Sequence, residues 1–331
     1  MITQTLEKYT KDTSPAVRRE FDAEVRVIVL QDGRRLAYQE YGDRSGYPLF
    51  HCHSHGSSRL EGMLFDTAAR NAGFRIISID RPGTGLSDFR QYVDARSFAM
   101  DVVQLADTLR CRKFGVMACG GGTAYALAVC HQEPVRTQFM LGLSCIPPRS
   151  VSTLRKSSGF ALRAVAEMTR LYIAVRHRLC ARNPLYYLDR LRDTLCFSDR
   201  QLLQSPRVLE LMRKDVDESM RQGARGIAHD ISQSFAGWGF DLQSLRVPIH
   251  LWQGSADTLV SHNSAAKFAE SVPSAVLHRV ANRGHFFFLR GMEEVFSAVN
   301  SRMNSTLQLR GNLTPLRVEK GSSKTLARAF R

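Results

Sequence analysis

Cys119 stands between an apolar run, Phe114 to Ala118, and three glycines, Gly120 to Gly122. A side chain at a sharp turn from a buried strand into a helix is held exposed above the sheet, at the positive end of the helix dipole. Glycines after it let amide hydrogens point at a developing oxyanion. A thiol there needs a base to take its proton and a carboxylate to fix that base. His285, in Gly284-His285-Phe286, and Asp257, in Gly254-Ser255-Ala256-Asp257, have the right types for base and acid. A helix N-terminus plus an imidazole is expected to draw the Cys119 pKa below that of a free thiol.

Further segments frame this constellation. His53-Ser54-His55-Gly56-Ser57-Ser58-Arg59 follows one strand pattern, and Asp80-Arg81-Pro82-Gly83-Thr84-Gly85 follows the next. In this order and spacing, with the Gly-x-x-Asp and Gly-His segments, the chain resembles the α/β-hydrolase superfamily, in particular its capped single-domain hydrolases. The resemblance runs from about Val25 to Met303. It implies nucleophile Cys119, acid Asp257 and base His285, with the amides of His55 and Gly120 as oxyanion hole. His53, Ser54 and Arg59 are then candidates for loop support or substrate contact. Asp80 is expected to brace a turn. Met117-Ala118-Cys119-Gly120-Gly121 matches G-x-S-x-G with Met for the first glycine and Cys for the serine. Ser54 replaces the loop glycine after His53. His51, His53 and His55 alternate, but a buried strand offers no cavity for three ligands, so neither metal nor cofactor is expected.

The elements that must position these residues are visible in the periodicity. Strand patterns fall at Val25–Leu30, Arg35–Tyr41, Pro48–His53, Phe74–Asp80, Phe114–Cys119, Thr137–Ser144, Pro248–Trp252 and Val276–Val280. Helical spacing separates most of them, at Leu60–Asn71, Ser97–Leu109, Gly120–Cys130 and Ser264–Ser271, and follows the last at Met292–Met303. This predicts an α/β fold with a mostly parallel eight-stranded sheet flanked by helices. From about Ser152 to Ser234 only helical spacing recurs, which predicts an all-helical cap. The expected organisation is an N-terminal extension (1–22), a first core part (23–146), the cap (147–246), a second core part (247–303) and a basic tail (304–331). The tail is expected to lie over the surface or to be disordered.

Composition bounds the remaining classes. The formal charge of +15 is concentrated in Arg149–Arg246 and Arg310–Arg331. It favours anionic partners, but no nucleic-acid-reading motif accompanies it. Seven cysteines without a CxxC pair suggest free thiols in a reducing cytosol. No secretory signal or membrane span is expected. The expected substrate is a small-molecule or carrier-bound acyl compound with a good leaving group: a thioester, enol ester, lactone or activated β-dicarbonyl. The route would be an acyl-cysteine intermediate. An acyltransferase or cyclase, and a catalytically silent ligand-binding homologue, are the alternatives; oligomeric state is left open.

Overall fold

A computed structural model describes residues 24–91, 94–147, 164, 167–175, 192–233 and 238–311. Eight strands form one sheet: β1 (Val25–Val29), β2 (Arg35–Gly42), β3 (Tyr47–Cys52), β4 (Phe74–Ile79), β5 (Phe114–Cys119), β6 (Thr137–Leu143), β7 (Ile249–Gly254) and β8 (Ala275–Val280). Their spatial order is β1-β2-β4-β3-β5-β6-β7-β8. The β1–β2 and β2–β4 pairs are antiparallel and the other pairs parallel. Parallel neighbours need crossovers, and helices supply them. The core helices are α1 (Asp66–Asn71), α2 (Arg96–Thr108), α3 (Thr123–Gln132), α7 (His262–Glu270) and α8 (Phe288–Gly311); the cap helices are α4 (Phe197–Leu202), α5 (Pro206–Ser219) and α6 (Arg225–Gln233).

Strand β5 lies inside the sheet, and every residue in it is buried. Its side chains alternate between two cores. Phe114, Val116 and Ala118 join the α2 and α3 side, with Phe98, Val102 and Leu127. Met117 and Cys119 join the opposite side, with Phe65, Phe287, Phe288 and Met292. That alternation decides which way Cys119 points.

Two segments differ from the sequence expectation. The helical spacing from Leu60 to Asn71 resolves into a 3₁₀ turn over Arg59–Phe65 followed by α1. The last helix starts at Phe288 and runs to Gly311, well into the segment expected to be tail. Phe288, Met292, Val295, Phe296 and Val299 bury one face at helical spacing, and helix propagation beyond that anchor adds a hydrogen bond per residue. The N-terminal extension, most of the first half of the cap and the chain beyond Gly311 lie outside the described residues. The described cap is helical at 167–175 and in α4 to α6.

The cap is fastened to the core by its acidic residues. Asp215 accepts from the hydroxyls of Ser57 and Ser58 and from the Ser58 amide. Glu218 pairs with Arg59 at 2.6 Å, and Asp230 pairs with Arg81 at 2.6 Å. The Gln222 amide donates to the carbonyls of Gly85 and Ser87. Thus α5 and α6 grip the loops after β3 and β4, where the site lies at the carboxyl ends of the parallel strands.

Candidate active site

His285 lies in the loop between β8 and α8. Its Nδ1 is 2.8 Å from Asp257 Oδ2, at the end of β7. A carboxylate only accepts, so Nδ1 donates and Nε2 is left as the acceptor face. Asp257 is itself positioned: Oδ1 accepts from the amides of Leu259 and Val260, and Oδ2 also accepts from Gln253 Nε2. Burial opposes ionisation of Asp257, but the His285 hydrogen bond and charge outweigh it and hold its pKa below the usual carboxylate range. The His285 amide and the Phe286 amide both donate to Asp199, at 2.7 and 3.0 Å, and the His285 carbonyl accepts from Ser144 Oγ. Asp199 belongs to cap helix α4, so core and cap jointly fix the imidazole's loop.

Cys119 does not meet this pair. It is fully buried with extended backbone (φ −112°, ψ 135°). Its sulfur faces the α1/α8 side of the sheet, where ligand-type atoms of His51, Glu61 and Cys119 lie within 4.8 Å of one another. Burial, and then the Glu61 carboxylate, push the thiol pKa well above its ordinary value, opposite to the expectation from a helix dipole and an imidazole. Among the described residues His285 bonds to Asp257, Asp199 and Ser144, and not to Cys119. Glu61 is held ionised, with its pKa at about 2: burial would raise it, but hydrogen bonding and charge from His51 and a hydrogen bond from the Ser54 side chain lower it. A stable carboxylate beside a thiol disfavours a thiolate.

The bend between β5 and α3 falls one residue later, at Gly120, whose φ is +46°. This is the left-handed backbone that a strand-to-helix elbow imposes on its central residue. Ala118-Cys119-Gly120-Gly121-Gly122 is therefore the five-residue elbow, with small residues at both ends, and its centre carries no side chain. A Cβ built on Gly120 would have only Ser54 within 4 Å, whereas one on Gly122 would strike the Cys52 carbonyl oxygen at 2.1 Å. Close passage of α3 against β3 thus requires Gly122, while Gly120 has room for a Cβ in ordinary contact with Ser54.

The loop after β3 sends its three histidines to different partners. His51 Nδ1 lies 2.8 Å from Ser78 Oγ, and its Nε2 is 3.1 Å from Glu61 Oε2. His53 Nδ1 donates to the Ser54 carbonyl. Burial, then the Arg81 charge, push the His53 pKa well down and keep it neutral. His55 Nδ1 lies 2.8 Å from Asp230 Oδ2, and its ring fills the space over Gly121. Arg59 is buried between Asp80 and Glu218, which makes it a brace. Asp80 likewise accepts from the amides of Arg59 and Leu86, the turn-bracing role expected of it. Glu61, Asp199, Asp215, Asp230 and Ser144 were not singled out from the sequence. All but Glu61, whose partners His51 and Ser54 lie within ten residues, act through long-range contacts that no local spacing announces.

The sheet order, the cap and the strand-end placement of His285 and Asp257 define a class, and comparison supplies the family. The profile of the alpha/beta hydrolase family matches residues 49–298. The chain belongs to that family and is an enzyme of the hydrolase class. It is 27% identical over 263 residues to a non-heme chloroperoxidase of Streptomyces lividans, covering 76% of this chain and 89% of that protein. In fold it is similar to a thermophilic esterase from Thermogutta terrifontis (TM-score 0.62, 20% identity, 86% of this chain and 99% of that one). It is likewise similar to an enol-lactonase from Burkholderia xenovorans (TM-score 0.61, 17% identity, 86% of this chain and 100% of that one). Among the described residues no helix is long and apolar enough to cross a membrane.

Proposed function

We propose that this chain hydrolyses an activated acyl compound, an ester, enol ester or lactone with a good leaving group, using His285 as base and acid and Asp257 as its orienting carboxylate. The observation that carries the reading is the His285–Asp257 hydrogen bond of 2.8 Å at the ends of β7 and β8. Its proton sits on Nδ1, so Nε2 accepts a proton from an attacking oxygen and returns it to the leaving group. Asp257 stabilises the imidazolium that forms in between. An acyl-cysteine route is not retained, because a thiol turned into the core beside an ionised Glu61 has neither access nor a thiolate. With the bend at Gly120, the amide that follows it is that of Gly121, and we assign this amide with that of His55 to the oxyanion. The cap covers the strand ends and excludes water from the collapsing intermediate. The ester- and enol-lactone-hydrolysing proteins of the same fold support the substrate class by analogy only.

The test is a panel of p-nitrophenyl esters and small enol lactones against the wild-type chain, His285→Ala, Asp257→Asn and Cys119→Ala. Loss of general base catalysis lowers kcat by about 10²–10⁴-fold in His285→Ala. Asp257→Asn falls steeply as well, and Cys119→Ala keeps wild-type kcat. Equal rates in wild type and His285→Ala would sink the reading.

A further inference from the structure

The elbow has no side chain, yet a hydroxyl stands directly across from it. A Cβ at Gly120 would lie 3.4 Å from Ser54 Oγ and 3.7 Å from Ser54 Cβ, with nothing else within 4 Å. Ser54 occupies the loop position where the H-G pattern has glycine, and Gly120 occupies the elbow position where G-x-S-x-G has serine. The two residue types are exchanged between positions that face each other, so the pair still holds one hydroxyl, carried on the opposite wall.

Ser54 is also held as a reacting group needs to be. Its amide donates to Glu61 Oε2 at 3.0 Å. Its carbonyl accepts from His53 Nδ1 at 2.9 Å, Arg81 Nη2 at 3.0 Å and the Ser57 amide at 3.3 Å. Glu61 and Arg81 are buried charges fixed by partners of their own, His51 and Asp230. The backbone is therefore clamped on both sides. The hydroxyl lies within hydrogen-bonding reach of the Glu61 carboxylate, which it helps to hold ionised, and the residue is only half-buried. A rigid mount with an accessible hydroxyl beside a fixed carboxylate is the arrangement that shortens the search for an attack geometry.

We propose that Ser54 is the nucleophile of this site, in place of an elbow residue. The proposal rests on the reading of His285–Asp257 as the acid–base pair. Ser54 Oγ attacks the acyl carbon and its proton passes to His285 Nε2. The tetrahedral intermediate then collapses: the bond to the leaving oxygen breaks, that oxygen takes the proton from His285, and an acyl-Ser54 ester remains. Water attacks this ester, giving a proton to His285, and Ser54 leaves with that proton restored, releasing the acid.

The full chain would be treated with a fluorophosphonate, which esterifies activated serines, and analysed by intact mass and peptide mapping. Turnover of p-nitrophenyl butyrate would be measured in parallel. One adduct is expected, on the peptide containing Ser54. In Ser54→Ala the adduct disappears and kcat falls at least about 100-fold with an unchanged melting temperature. In the double variant S54G/G120S the adduct moves to the peptide containing position 120, which keeps the test informative if the single variant folds poorly. An adduct elsewhere, or none, overturns the proposal. So does a Ser54→Ala variant with wild-type kcat while His285→Ala is inactive; that outcome means direct attack by water and leaves the acid–base pair standing. Equal rates in wild type, Ser54→Ala and His285→Ala overturn both.

Discussion

At the scale of the residue, one dihedral angle outweighs a chemically attractive side chain. Cys119 is the better nucleophile by element, but its backbone is extended and its sulfur is buried on the α1/α8 side, while the left-handed φ belongs to Gly120. Alkylation rate tracks thiolate fraction and access. Iodoacetamide at pH 8 is therefore expected to leave Cys119 unmodified in the native chain over hours and to modify it within minutes in denaturant, as read by peptide mass. Native labelling of Cys119 that depends on His285 would restore the cysteine route. Chemical type places the elbow at Met117 to Gly121, with cysteine at its centre, whereas the left-handed φ sets it at Ala118 to Gly122. Small residues at both flanks suit the second setting, and only the backbone decides between them. His285 and Asp257 were legible because each follows a strand pattern with its own glycine signal, Gly284 and Gly254.

At the scale of the element, strands were readable because β3 to β6 are apolar runs bounded by turn residues, and the predicted limits differ from the observed ones by at most two residues. The cap's helices were readable by period, but not their attachment. That attachment depends on acids whose partners lie more than a hundred residues away, such as Asp230 of α6 with Arg81 and His55. Arg81 is fully enclosed, stacks on Tyr125 with its guanidinium carbon 4.9 Å from the ring centre, and also donates to the carbonyls of His53 and Ser54. Asp230→Ala strands that buried cation. It is expected to cost about 3–5 kcal/mol in denaturant unfolding. Glu210→Ala, which breaks the half-exposed α5 pair with Lys214, is expected to stay within about 0.5 kcal/mol. Equal losses in the two variants would show that the buried pair does not fasten the cap.

At the scale of the whole molecule, the +15 surplus and the cap's architecture are linked. Cap acids Asp199, Asp215, Glu218 and Asp230 turn inward to hold core loops, whereas Arg200, Arg207, Arg213 and Arg225 of the same helices are exposed. One of these acids makes the joint pH-sensitive. Burial, then the charge of Glu61, push the Asp215 pKa up to about 8, against the hydrogen bonds of Ser57 and Ser58 that lower it. In the unfolded chain the same carboxyl titrates near 3.8. The folded state thus binds one more proton than the unfolded state between these values. Its contribution to stability is whole below the unfolded value and is lost as pH rises through the folded one. Because the whole basic chain also changes its self-repulsion with pH, the informative quantity is the melting temperature of wild type minus that of Asp215→Asn. That difference is expected to fall steadily from pH 5 to pH 8 and to level off above it. A difference that stays constant across the range would mean that Asp215 is ionised throughout, and that the cap–core joint does not respond to pH at this carboxyl.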